Sequence, residues 1–172
     1  MSQLNRSTVE EFKGKNKMPI VIVLDNIRSL NNVGSVFRTS DAFSIQSIYL
    51  CGITGTPPHK EIHKSALGST DSVDWVYFEK TTDAVEALKE MGYIVFALEQ
   101  TDESISLENF IPPVSPLAFV FGNEVEGVAD EVLLLVNDAI EIPQFGTKHS
   151  FNISVSAGIL LWDIIQKIKK GK

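Results

Sequence analysis

Three short polar clusters in this 172-residue chain carry side chains able to bind a ligand or manage charge, and each follows an apolar run. The first is NNVGSVFRTSDAF (31–43), with Asn32 and Arg38, after the run PIVIVLDN (19–26). The second is Gly122-Asn123-Glu124 with Gly127, after LAFVF (117–121). The third is Ser150-Phe151-Asn152, inside IEIPQFGTKHSFNISVSAGILLWDII (140–165). Glycine permits φ > 0 and close backbone approach. Asn offers a donor and an acceptor together. A helix N-terminus favours bound acceptors and anions. This chemistry suits an uncharged polar ligand, such as an adenine edge or a ribose, better than a triphosphate. Each cluster also has a plainer alternative. Gly122-Asn123 can be a turn, and Asn32 and Ser150 can be helix caps. Arg38 can pair with Asp41 on its own helix, an arrangement worth only a few tenths of a kcal/mol.

The elements that must position these residues follow from periodicity. Continuous aliphatic runs predict strands at 19–26, 44–52, 71–78, 93–100, 117–124 and 138–143. Helical patterns lie between them: 31–43 capped by Asn31 or Asn32, a short helix within 55–68, 81–92 capped at Thr82 or Asp83, and 130–137. A short helix is expected around Thr8–Lys13 and a long one over Asn152–Lys169, with 107–116 as a connection. Strands covered on both faces and alternating with helices predict an α/β fold. It has a mainly parallel six-stranded sheet flanked by helices. The length predicts a single domain, 1–172, with residues 1–18 as a short N-terminal extension. In such sheets ligands bind outside the carboxyl ends of the strands, where all three clusters fall.

Composition and motifs narrow the function. Net charge is −7 with a sequence pI near 4.9, so any nucleic-acid contact needs a local basic patch on an acidic body. A single cysteine, Cys51, excludes an internal disulfide and is expected to be a buried, inert thiol. The polar start and the lack of an apolar run of about 18–20 residues predict a cytoplasmic protein with no membrane span. Neither GxGxxG nor GxxxxGK[ST] is present, which argues against a dinucleotide enzyme or an NTPase. His59 and His63 stand four apart in HKEIH, but Lys60 replaces the Glu of a zinc motif, so no metal is expected.

Taken in order, the three clusters resemble the motifs of the SpoU (TrmH-like) family of RNA ribose 2′-O-methyltransferases, in the SPOUT superfamily. The resemblance covers roughly residues 19–168. Asn32 and Arg38 match the first motif. Gly122, Asn123, Glu124 and Gly127 match the second, and Ile142, Pro143, Ser150 and Asn152 match the third. Phe151 departs from the family's usual Leu.

The resemblance implies a C-terminal deep trefoil knot, which topology rules alone would not suggest. It implies an obligate homodimer, to which the largely apolar final helix contributes Ile159, Leu160, Leu161, Trp162, Ile164 and Ile165. It implies S-adenosyl-L-methionine held by Leu98, Gly122, Asn123, Gly127, Ile142, Phe151 and Asn152. Arg38, Asn32, Glu124, Ser150 and Asn152 become the expected catalytic set, with the others orienting Arg38 and the ribose. The substrate is then RNA, tRNA ahead of rRNA. No room remains for a separate RNA-binding domain, so Arg28, Arg38, Lys60, Lys64, Lys148 and the basic tails are the expected contacts. The alternative is a catalytically inactive RNA-binding protein that retains the fold.

Overall fold

A computed structural model describes residues 8–147 and 150–171 of the chain. Lys148, one expected RNA contact, lies outside the described residues. The elements in order are α1 (Val9–Lys13), β1 (Met18–Asp25), α2 (Leu30–Ala42), β2 (Ile45–Cys51), α3 (Lys60–Ala66), α4 (Ser69–Ser72) and β3 (Asp74–Phe78). They continue with α5 (Thr81–Glu90), β4 (Ile94–Leu98), β5 (Ile105–Ser106), β6 (Leu117–Phe121), α6 (Asp130–Leu133), β7 (Asp138–Glu141) and α7 (Ile153–Lys170).

The strands form one sheet in the order β3-β2-β1-β6-β4-β7-β5, with every strand pair parallel. Successive side chains of a strand face opposite sides. In β1, Ile20, Ile22 and Leu24 therefore join the core beneath α2 and α7, while Val21 and Val23 join a second core beneath α5 and α6. Both faces are covered, which is why the strands are continuous apolar runs.

The sheet has seven strands rather than the expected six. The extra strand, β5, is two residues long and too short to show a period. It exists through its pairing with β7, in the register Ile105↔Ile140 and Ser106↔Glu141. β7 thus lies between two strands that precede it in the chain, and residues 99–104 join those strands past its carboxyl end.

Several element starts also differ from expectation. The expected 71–78 strand begins at Asp74, because residues 69–72 form a helical turn. There the Ser69 and Ser72 hydroxyls donate back to the Ala66 and Ser69 carbonyls. α2 is capped by Ser29, whose Oγ accepts the Asn32 N–H at 3.3 Å, and not by Asn31 or Asn32. The Asn32 amide is left for other use. α5 begins at Thr81 with no side-chain cap, and Thr81 instead donates its hydroxyl to buried Asp25 at 2.5 Å. Asp25 also accepts from Asn26 and from the Ala129 N–H, tying the carboxyl end of β1 to the segment after β6. α6 is one turn only, because the Asn137 side chain leaves the helical path to accept the Val95 N–H at 2.9 Å.

α7 corrects the expected interface. Leu160, Leu161 and Ile164 are fully buried in the chain's own core, and Ile165 nearly so. A helix that is apolar on most faces does not disclose in its sequence which face packs inside its own chain. Ile159 is partly buried, and the exposed apolar residues are Val155 and Trp162 (59% exposed).

Candidate active site

β6, β4 and β7 are neighbours in the sheet, so the loops after Phe121, Leu98 and Glu141 converge at one edge. With the start of α7 they enclose a cavity of about 560 Å³, within the usual range for a small-molecule site. Leu98, Gly122, Asn123, Glu124, Gly127, Ile142, Ser150, Phe151 and Asn152, all named from the sequence, line it.

The 122–128 turn is built for close backbone packing. A Cβ on Gly122 would lie 2.0 Å from the Gly127 carbonyl carbon and 2.1 Å from the Val128 nitrogen. Asn123 and Gly127 exchange two backbone hydrogen bonds, of 3.0 and 3.1 Å. The Asn123 Oδ1 accepts the N–H groups of Val125 and Glu126, each at 2.8 Å. Its side-chain oxygen therefore shapes the wall. Gly127 has φ +72°, and a Cβ there would meet the Glu99 carboxylate at 2.2 Å. Glu99 accepts the Val128 N–H at 3.0 Å and the Gln100 N–H at 3.1 Å, locking the β4 loop to the β6 loop.

At the rim, side chains from all three clusters meet. The Asn32 Nδ2 donates to Glu124 Oε1 at 3.1 Å, and the Asn152 Nδ2 donates to Asn32 Oδ1 at 3.1 Å. The Arg28 N–H donates to the other Glu124 oxygen at 3.4 Å. Partial burial pushes the Glu124 carboxyl up. Hydrogen bonds to its carboxylate outweigh that, from its own backbone, the Asn32 amide and the Arg28 and Ser29 backbones, and hold it below its ordinary value. Asn152 is also the cap of α7, its Oδ1 accepting the Ser154 N–H at 2.9 Å. Cap and link are one side chain, so the sequence alternatives for this turn coexist. Ser150 is exposed at the rim, and among the described residues it caps no helix.

The other expected contacts stand apart. Arg38 follows Asn32 by six residues, which on a helix is about 9 Å along and about 120° around. It is exposed, does not line the cavity, and pairs with no described residue. Asp41 accepts from Ser72 instead, so the Arg38–Asp41 pair is absent. The expectation that Asn32, Glu124, Ser150 and Asn152 orient Arg38 is thus not met within one chain. Arg28 is exposed beside Glu124. Lys60 and Lys64 lie on α3, away from the cavity, and Lys64 pairs with Glu61 at 2.8 Å. Glu99, Gln100, Glu126, Glu141, Gln144 and Ser156 also contribute to the lining. Of these Glu99 was detectable, because it lies at the carboxyl end of a predicted strand. Cys51 is buried, and that burial pushes its thiol up to about 12. Among the described residues no three His, Cys, Asp or Glu side chains cluster as a metal site.

The model of the SpoU rRNA methylase family matches residues 19–162. This chain belongs to the SpoU family. A relative of this SpoU chain from Thermus thermophilus, named tRNA (guanosine(18)-2′-O)-methyltransferase, is 29% identical over 174 residues, covering 99% of this chain and 87% of that protein. The crystal structure of the A. aeolicus TrmH/SpoU tRNA modifying enzyme superposes with a TM-score of 0.83 at 24% identity, covering 95% of this chain and 82% of that one. An AdoMet-bound rRNA methyltransferase from Sinorhizobium meliloti superposes with a TM-score of 0.81 at 24% identity, over 90% of this chain and 59% of that one. These likenesses establish the SpoU fold for the chain.

Proposed function

We propose that this SpoU chain is an S-adenosylmethionine-dependent RNA methyltransferase acting on a ribose 2′-OH, with tRNA the favoured substrate. The observation that carries this is the Asn32–Glu124–Asn152 linkage, which ties all three family motifs together at the mouth of one cavity. The cavity fits the cofactor. Its Gly122–Gly127 wall is closed on itself, because a Cβ at either glycine would strike the Gly127 and Val128 backbone or the Glu99 carboxylate, so the wall is held in one shape. Leu98, Gly122, Ile142 and Phe151 would hold the cofactor, which when bound supplies an electrophilic methyl group.

The chain supplies position and charge. A guanidinium is a poor base, because it gives up its proton only with great difficulty. Arg38, which stands apart from its own chain's cavity, would therefore act at the cavity of the partner protomer in the proposed homodimer, holding an RNA phosphate that accepts the hydroxyl proton and stabilising the developing alkoxide. Asn32, Ser150 and Asn152 fix the ribose, and Glu124, held ionised, fixes Asn32. Ordering two reactants in line supplies ~7–11 kcal/mol.

A homodimer belongs to the same proposal, supported by exposed Val155 and by Trp162 packed beside Phe43 (ring centroids 6.4 Å apart). So does the trefoil knot, supported by the insertion of β7 between two earlier strands. A cytoplasmic location is also proposed; among the described residues no helix is long and apolar enough to cross a membrane.

The test is Arg38→Ala, followed by calorimetric titration with S-adenosylmethionine and methyl transfer to tRNA and to rRNA. Cofactor affinity is expected to stay at the parental value while methylation is lost. Near-parental turnover would sink the role of Arg38, and cofactor binding by the parent with no transfer to any RNA would sink the function. Ribose-methylation mapping of total RNA from a deletion strain would then name the nucleotide.

A further inference from the structure

A second cavity, of about 580 Å³, opens between the start of α3 and the α4–β3 segment. The methyl-transfer reading makes no use of it. We propose that it takes an unstacked nucleotide of the RNA substrate, away from the methylated position. This rests on the RNA-methylating function above and adds a second foothold to it.

The lining has the parts such a nucleotide needs. Trp75 is half-buried, packed against the core while also facing the cavity. Its indole presents a flat apolar surface, on which a base of any sequence stacks. The His59 Nδ1 accepts the Glu61 N–H at 3.1 Å, which fixes the ring and leaves Nε2 as an outward donor. Lys60 has no ion-pair or hydrogen-bond partner among the described residues. Lys17, Lys64, Lys89 and Lys167 are each held, by Asp74, Glu61, the Leu135 carbonyl and Asp163. On a chain of net charge −7, Lys60 places one positive charge at the mouth of this aromatic cavity, where it can meet a phosphate. Asp71 and Thr70 line the same cavity. The Asp71 carboxylate repels phosphate and accepts from an amino group. The backbone of the nucleotide therefore lies at the Lys60 and His63 side, and its base lies against Trp75.

This cavity shares no lining residue with the proposed active site, but packing against α2 connects the two. A Cβ on Gly55 would sit 2.2 Å from Leu30 Cδ2, so the 52–58 loop presses directly on the first residue of α2. A Cβ on Gly34 would sit 2.3 Å from the Ile62 carbonyl oxygen, and the Ser65 hydroxyl donates to the Asn31 carbonyl at 3.0 Å. α3 is thus clamped onto the first turns of α2, beside Asn32. A strand that delivers its ribose to Asn32 across this side of α2 passes over the 52–58 loop and reaches the cavity.

The chain has two tryptophans, so a Trp162→Phe chain reports on Trp75 alone. Titrating it with unfractionated tRNA is expected to quench its emission to saturation. Lys60→Ala is expected to weaken tRNA binding several-fold and to lower the salt slope by about 1. His63→Ala is expected to weaken it too, whereas Lys80→Ala on the distant α5 side should leave it unchanged. Cofactor titration and melting of each variant check that the fold is intact. Methyl transfer by Lys60→Ala at saturating tRNA is expected at the parental kcat with a raised KM, which places the loss in RNA binding. Unquenched Trp75 while filter retention shows bound tRNA would overturn the proposal. So would parental affinity in both Lys60→Ala and His63→Ala. A parent that binds no tRNA overturns this site, whereas a parent that binds tRNA through it without methylating any RNA overturns only the function.

Discussion

Replacing Gly122 by alanine tests whether the cavity wall is as tight as its geometry implies. The added methyl would lie 2.0, 2.1 and 2.3 Å from the Gly127 carbonyl carbon, the Val128 nitrogen and the Gly127 oxygen. All three are backbone atoms, so no side-chain rotation relieves the overlap. Ordinary contact requires the two strands of the turn to part by more than about 1 Å, and the paired Asn123–Gly127 hydrogen bonds of 3.0 and 3.1 Å do not survive that separation. Two such bonds contribute about 1 kcal/mol each, and relieving an overpacked contact costs about 1–3 kcal/mol. The sum is about 3–5 kcal/mol, or a melting temperature roughly 6–20 °C lower for a domain of this size. Cofactor affinity should fall at least about tenfold, because the parted turn is the wall of the cavity. Gly146→Ala, where a Cβ meets nothing within 4 Å, should shift stability by less than about 0.5 kcal/mol. Thermal melting and calorimetric titration of both variants decide the matter. A Gly122→Ala chain that melts within about 2 °C of the parent and binds cofactor equally well would refute the argument from close packing.

Asn152→Ala removes both a cap and the link to Asn32. It should cost about 1–2 kcal/mol of stability by the cap alone, while methylation falls by more than about a hundredfold. Activity lost only in proportion to melting would leave the cap as its sole role. Glu124 has a lowered folded-state carboxyl, so its stabilising hydrogen bonds persist above the ordinary value of 4.5 and fade as pH falls through the lower folded value. The stability difference between the parent and Glu124→Gln should be flat from about pH 6 to 8 and shrink below about pH 4.5. A difference that grows on acidification would contradict this. With its thiol near 12, Cys51 should resist thiol reagents at about pH 8 until the chain unfolds. Rapid labelling of the native protein would show that the site is open.

The three clusters were legible because their chemistry sits just past strands, and a parallel sheet gathers strand ends. What the sequence hid is mostly matters of angle and of partner. Asn32 looked like a cap, yet Ser29, three residues earlier, does the capping and frees the Asn32 amide for Glu124. Arg38 shares the first motif with Asn32 but lies about 120° around the helix from it, a separation that motif order does not encode. α7 is apolar on most faces, so its sequence did not distinguish residues packed inside the chain, such as Leu160, from exposed Trp162. β5 has too few residues for any periodic signal and owes its existence to β7.

The late arrival of β7 and α7 has a consequence for synthesis. Cavity walls come from residues 98–100, 121–127, 140–142, 144, 150–153 and 156, so the walls are complete only once residue 156 has been made. The β1–β2–β3 half of the sheet, built from near neighbours in sequence, can form while the rest is still on the ribosome. Closing the other half needs β6 to find β1, with Leu117 pairing Ile20 across more than half of the chain, and β7 to enter between strands already laid down. A polypeptide released before residue 138 therefore lacks β7, and one released before residue 156 has an open cavity. Cofactor capture becomes a signal that synthesis has passed residue 156.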